Sequence, residues 1–145
     1  MTRALFAGSF DPFTIGHKVI VERALNIADE VIVAIGVNIS KQYSAPLDER
    51  KANIDKIFGD NPRVKVLTYE GLTTDFAKQV EATFLVRGVR SCADFETERD
   101  IARVNKQLTG IETVLLVADT QFESVSSSIV RELKSYGKDV SQFIP

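Results

Sequence analysis

Apolar, β-branched runs alternate with segments of helical periodicity along the whole chain, with no repeat, linker or low-complexity stretch between them. The runs predict strands at about Arg3–Ala7, Val31–Val37, Val64–Tyr69, Thr83–Val86 and Thr113–Ala118. The segments between and after them predict helices at about His17–Ala28, Leu47–Phe58, Thr74–Ala82, Asp94–Leu108 and Ser127–Tyr136. Val31-Ile32-Val33-Ala34-Ile35 has no polar position, so both faces of that strand need a cover, as in a parallel sheet between helix layers. Five strand–helix units with right-handed crossovers predict an α/β fold, a doubly wound, Rossmann-like five-stranded parallel sheet in a single domain, 1–145. In the commonest five-strand order the first and fourth strands are neighbours, and ligands bind above their carboxyl ends where the connections diverge. The flanking loops are then Gly8–Gly16 and Arg87–Ala93.

Composition narrows the classes. A chain of 145 residues with 44% hydrophobic and 26% charged positions is long enough to bury a core and falls in the globular class. Its net charge of −2 leaves no excess of lysine and arginine for a general nucleic-acid or membrane surface binder. Any anion site must be local. The single cysteine, Cys92, rules out an internal disulfide and a cysteine-rich zinc site, which suits a reducing cytoplasm, and it reads as a small packing residue. No apolar run approaches ~20 residues and the N-terminus lacks a signal-peptide pattern, so the expectation is a chain that neither spans a membrane nor is exported.

The densest chemistry follows the first strand, in Ala7-Gly8-Ser9-Phe10-Asp11-Pro12-Phe13-Thr14-Ile15-Gly16-His17. Gly8 is expected to turn the chain out of the strand in a conformation closed to other residues. Pro12 stiffens the loop and keeps Asp11 from helical angles, so the helix starts near Gly16. His17, the only histidine, then sits in the first turn, where free N–H groups and the helix dipole favour anions and disfavour imidazolium. A solvated histidine beside a glycine turn is the plainer alternative.

Three later stretches face the same way. Arg87-Gly88-Val89-Arg90-Ser91 follows the buried fourth strand, and two guanidinium groups there can grip phosphate oxygens in pairs. As an arbitrary Arg-x-x-Arg they would be solvated loop residues; their place opposite the first loop favours the clamp. On the next helix, capped by Ser91, Asp94, Glu98, Ile101 and Asn105 share one stripe, which suits either a polar pocket wall or a partly exposed face. Phe122-Glu123-Ser124-Val125-Ser126-Ser127-Ser128 opens the last helix, as a simple cap or as a phosphate nest. Lys41, after the second strand, could reach the crevice, although a solvated loop lysine is the simpler reading. Around Thr73, Gly71-Leu72-Thr73-Thr74 looks like a helix cap.

The pattern Gly8-Ser9-Phe10-Asp11-Pro12 with Thr14-Ile15-Gly16-His17 resembles the signature of the nucleotidyltransferase superfamily that includes class I aminoacyl-tRNA synthetases, the HIGH-type fold. Within it Arg87-Gly88-Val89-Arg90, Asp94-Phe95-Glu96-Thr97-Glu98 and the serine run are most similar to the bacterial phosphopantetheine adenylyltransferases, with departures at Thr97, Glu123 and Ser124. That resemblance implies transfer of the adenylyl group of ATP to 4′-phosphopantetheine, giving dephospho-coenzyme A and pyrophosphate. It implies that His17 bonds the α-phosphate, and that ATP is held by Ser9, Phe10, His17, Gly88, Val89, Arg90, Glu98 and the turn Phe122, Glu123, Ser124, Val125, Ser126, Ser127 and Ser128. It assigns Ser9, Lys41, Thr73, Arg87 and Asn105 to phosphopantetheine. It also implies Mg²⁺ held mainly by ATP oxygens and water, coenzyme A as a product-side or feedback ligand, and a homohexamer.

A nucleophile that is already a phosphate needs no general base, which fits a chain with one histidine and no catalytic triad. Positioning and charge stabilisation would do the work. The rival enzyme is a related transferase acting on nicotinamide mononucleotide or a polyol phosphate, against which the Arg-Gly-Val-Arg loop speaks. A synthetase is excluded by length and by the lack of a lysine-rich second signature. A nucleotide sensor without turnover is the rival outside enzymes, and the histidine at the helix start opposes it.

Overall fold

The computed structural model describes residues 1–145. Five strands, β1 (Arg3–Gly8), β2 (Glu30–Val37), β3 (Val64–Glu70), β4 (Phe84–Val89) and β5 (Glu112–Val117), alternate with α1 (Ile15–Ala24), α2 (Leu47–Phe58), α3 (Thr73–Gln79) and α4 (Cys92–Thr109), and α5 (Ser127–Ser135) follows β5. The strands form one sheet in the order β3-β2-β1-β4-β5, every pair parallel. This is the expected doubly wound order.

Alternation along each strand sorts the core into two layers. Phe6, Val31, Val33 and Ile35 pack with Ile20, Val21 and Ala24 of α1 and Ile54 and Phe58 of α2. Their neighbours in sequence, Leu5, Ala7, Ile32 and Ala34, pack instead with Phe76 and Ala77 of α3. Because successive side chains point to opposite faces, an all-apolar strand such as β2 serves both layers.

β1 and β2 stay paired from Arg3–Glu30 to Gly8–Ile35, but β1 and β4 pair only at Ala4–Phe84 and Leu5–Leu85. The sheet therefore opens at its centre. Continuing that register would set Ala7 opposite Arg87; there the Arg87 Nη1 donates to the Ala7 carbonyl at 2.6 Å.

Four expectations shift. β4 runs on to Val89, since its pairing with β5 continues through Gly88–Leu116 and Val89–Val117, so the loop before α4 shrinks and Arg87, Gly88 and Val89 are strand residues. α1 stops at Ala24, where Asn26 and Ile27 turn back to the carbonyls of Arg23 and Ala24 and the Arg63 guanidinium takes the carbonyls of Leu25 and Ala28. α3 ends at Gln79, ahead of the left-handed Glu81 (φ 57°). Cys92 is exposed in the first turn of α4, not a packing residue.

Candidate active site

Helix α1 begins with a reciprocal cap. Thr14 accepts from the His17 N–H at 3.3 Å, and His17 Nδ1 accepts from the Thr14 N–H at 3.0 Å. Histidine takes the place that glutamate or glutamine fills in the usual capping box. Nδ1 is thus committed as an acceptor, which leaves the neutral ring's proton on Nε2. The half-buried ring sits among Phe6, Phe10 and Phe13 at centroid distances of 6.0, 5.1 and 5.3 Å. Burial first, then the nearby positive charges of Arg87 and Arg90, bring its pKa down from 6.5 to about 4. The imidazole is neutral, as the helix start suggested, but desolvation leads the cause.

The glycine reading changes. The left-handed residue of the loop is Phe10, with φ 49°, not Gly8. Gly8 instead gives the Phe10 ring room: a Cβ there would lie 3.1 Å from it, so the ring would have to give by a few tenths of an ångström.

Above the split between β1 and β4 lie two clefts. The first, of about 360 Å³, is lined among others by Ser9, Phe10, His17, Lys41, Arg87, Gly88, Arg90, Glu98, Phe122, Val125, Ser126 and Ser127. The second, of about 550 Å³, takes in Ser9, Lys41, Thr73, Arg87 and Asn105. All five residues assigned to phosphopantetheine by resemblance therefore share one cleft. Ser9, Lys41, Arg87 and Glu98 line both, so the clefts meet at one seam. The α4 stripe spans it, with Asp94 in the first cleft, Glu98 in both, and Ile101 and Asn105 in the second.

At the seam Lys41 Nζ lies 3.3 Å from Ser9 Oγ, so the lysine does reach the crevice. Arg87 is gripped by Glu98 through two contacts of 2.9 Å. Arg90 bonds Asp94 at 3.0 Å and reaches the Val125 carbonyl at 3.5 Å. The loop after β5 does rise over the same crevice, where Ser127 Oγ donates to the Pro12 carbonyl at 2.8 Å. Helix α5 starts at Ser127 as expected, Ser126 is its cap, and Ser128 Oγ accepts from Arg131 at 3.3 Å. The Ser127 hydroxyl proton is thus spent on Pro12, whereas the Ser126 and Ser128 hydroxyls accept within the chain and keep their O–H groups, beside the backbone N–H groups of the turn, as donors.

Four residues in the ATP set by resemblance stay outside the cleft walls: Val89, Glu123, Ser124 and Ser128. The Val89 side chain is buried in the core and its carbonyl accepts from Ala118 N–H. Residues beyond the sequence reading join instead. Arg23 and Arg131 line the first cleft, and Arg131 also donates to the Asp11 carbonyl at 2.7 Å. Its position four after Ser127, on one helix face, was the available signal. For Tyr43 and Arg50, beside the seam, the sequence carried none.

The cleft residues can offer an anion the charges of Lys41, Arg87 and Arg90 and one neutral donor, His17. No three His, Cys, Asp or Glu side chains converge, and Asp94 and Glu98 each face an arginine.

Residues 5–133 match the family model described as cytidylyltransferase-like. The chain is 54% identical over 145 residues to a phosphopantetheine adenylyltransferase of Bacteroides thetaiotaomicron, covering 100% of this chain and 96% of that one. It is 54% identical over 142 residues to that of Porphyromonas gingivalis, covering 98% and 93%. A bifunctional NMN adenylyltransferase/ADP ribose pyrophosphatase from Francisella tularensis superposes with a TM-score of 0.73 at 16% identity, over 99% of this chain and 44% of that one. At that identity the likeness is of fold alone.

Proposed function

We propose, for a chain that belongs to the cytidylyltransferase-like family and within it to the phosphopantetheine adenylyltransferases, that the seam between the two clefts is where the reaction takes place. The reaction is transfer of the adenylyl group of ATP to 4′-phosphopantetheine, giving dephospho-coenzyme A and pyrophosphate. The observation that carries the assignment is that Ser9, Lys41 and Arg87 line both clefts. Two anionic substrates lying in separate clefts can meet only there.

An oxygen of the pantetheine phosphate, already ionised, attacks the α-phosphorus of ATP. A new P–O bond forms as the bond to the β-phosphate oxygen breaks, and pyrophosphate carries off the electron pair. Lys41 and Arg87 hold the attacking phosphate. The His17 Nε2–H donates to an α-phosphate oxygen as charge builds on it. Its neutrality costs no charge desolvation in the free site, and its ring is fixed by the Thr14 bond. Arg90, with Ser9, Phe10, Gly88, Glu98 and the turn from Phe122 to Ser127, holds ATP, and the free N–H groups at the start of α5 face its phosphates. Thr73 and Asn105 flank the pantetheine arm.

Mg²⁺, where it accompanies ATP, would neutralise phosphate charge. No three His, Cys, Asp or Glu side chains converge to hold it, so the nucleotide's own oxygens and water would be its ligands.

Helix α4 buries no residue of its own and displays Phe95, Ile101, Val104 and Leu108. This supports self-association, for which light scattering should return six times the monomer mass. No helix is long and apolar enough to cross a membrane; a cytoplasmic location suits the single cysteine.

Pyrophosphate release from ATP tests the function, with 4′-phosphopantetheine and nicotinamide mononucleotide as alternative acceptors. Release is expected with the first only. Release with the mononucleotide alone would overturn the substrate assignment.

A further inference from the structure

Between β2 and α2 the chain forms a strap, residues 38–46, that carries Lys41 to the seam. Two buried ionised side chains hold it, and neither pairs with an opposite charge. The Asp11 carboxylate, 5% exposed, accepts from the Ser44 and Ala45 N–H groups at 2.6 and 3.0 Å. The Arg50 guanidinium, 3% exposed, donates to the carbonyls of Ala45 and Ser9 at 3.1 and 2.8 Å. Each group therefore ties the strap to the loop after β1 or to the first turn of α2. Burying two charges whose hydrogen bonds go to backbone alone costs stability that an apolar pair would not.

The last member is Tyr43. Its hydroxyl accepts from the Asn38 N–H at 3.1 Å, which closes the strap on itself. Its ring receives Arg50 at 4.0 Å and Lys41 Nζ at 5.3 Å from the centroid. Both are within cation–π range. Lys41 has no carboxylate partner; its ammonium lies by Ser9 Oγ and the Tyr43 ring. A lysine on a four-carbon stem is otherwise free to sweep through solvent.

We infer that Tyr43, backed by Arg50, is a positioning residue that holds the Lys41 ammonium at Ser9, in place for a phosphate entering the second cleft. The inference rests on the reading of Lys41 as a phosphate ligand. Tyr43 acts on the lysine before any ligand arrives, so its contribution is preorganisation.

Calorimetric binding of three ligands tests it: 4′-phosphopantetheine, pantetheine without the phosphate, and ATP. Tyr43→Leu should weaken phosphopantetheine by about tenfold, the scale of one partly desolvated cation–π contact. Pantetheine and ATP should bind as to the parent, and Tyr43→Phe, which keeps the ring, should restore most of the loss. Adding Tyr43→Leu to Lys41→Ala should weaken phosphopantetheine no further. An additive double mutant, an equal loss for pantetheine, or unchanged phosphopantetheine affinity in Tyr43→Leu would each overturn the positioning role. If Lys41→Ala alone left phosphopantetheine binding intact, the phosphate-ligand reading would fall first. Arg50→Lys, which keeps charge but loses the planar fork, should follow Tyr43→Leu if it folds; Tyr43 is only half-buried, so its own variants carry the test.

Discussion

Arg87 and Glu98 meet edge to edge, with Nε 2.9 Å from Oε2 and Nη2 2.9 Å from Oε1, while Nη1 is held by the Ala7 carbonyl. Three of the five N–H donors of the guanidinium proposed to grip the attacking phosphate are engaged in the free protein. A phosphate that takes the paired Nε–Nη2 edge must displace the carboxylate, whose side chain is far less exposed than the arginine's, at 12% against 38%. Glu98→Gln removes the competing charge. In the absence of nucleotide it should tighten 4′-phosphopantetheine binding by about fivefold, from a pair worth about 1 kcal/mol, and weaken ATP. Titration calorimetry reads both, and weaker binding of both ligands would show that Glu98 does not compete.

The chain has one histidine, so its titration is read directly by NMR of the imidazole nitrogens. The expected pKa in the free protein is about 4, with Nε2 protonated at neutral pH, and added ATP should raise it because phosphate charge favours imidazolium. The unfolded chain, with its ordinary value near 6.5, binds the proton first as pH falls. Stability from neutral His17 is therefore complete above about 6.5 and declines towards pH 4. His17→Gln should flatten the slope of unfolding free energy in that window. A free-protein pKa near 6.5 would contradict the burial of the ring.

His17→Ala should lower turnover by roughly 10²–10³ with ATP affinity changed far less, the scale for losing one donor to a transition-state oxygen. Pyrophosphate release under saturating substrates separates the two effects. Parent-like turnover would remove His17 from the chemistry.

The two arginines should divide by ligand. Arg87 lines both clefts, whereas Arg90 lines only the first. Replacing Arg90 by lysine keeps charge and loses the paired geometry, so it should weaken ATP and spare phosphopantetheine. Arg87→Lys should act chiefly on phosphopantetheine. Equal losses for both ligands in both variants would sink the division.

Ser127→Ala breaks the bond from α5 to the Pro12 carbonyl. ATP and pyrophosphate should weaken together by a few-fold, the worth of one net hydrogen bond, with phosphopantetheine unchanged, in equilibrium binding. Unchanged nucleotide binding would reduce that turn to a helix cap.

The sequence alone settled what depends on local period and on chain chirality. An all-apolar β2 means a parallel, doubly covered strand, and four right-handed crossovers leave few orders, of which β3-β2-β1-β4-β5 is the commonest. That order placed Gly8, Arg87 and Ser127 around one crevice before any contact was known. Motif chemistry added His17 at a helix start, and the family resemblance alone favoured Lys41 at the crevice over a solvated loop lysine. Tertiary structure decided the rest, because the deciding contacts join residues far apart in sequence and leave no periodic trace. Thr14 and His17 are three apart, yet their mutual cap depends on backbone angles at the helix entry. Whether β4 stops at Val86 or runs to Val89 is set by its ladder with β5. Which hydroxyls of the serine run remain free depends on Pro12 and Arg131. The clamp of Asp11 and Arg50 on the strap joins backbone groups 33 to 41 residues away, and only the packed loops bring those groups within reach.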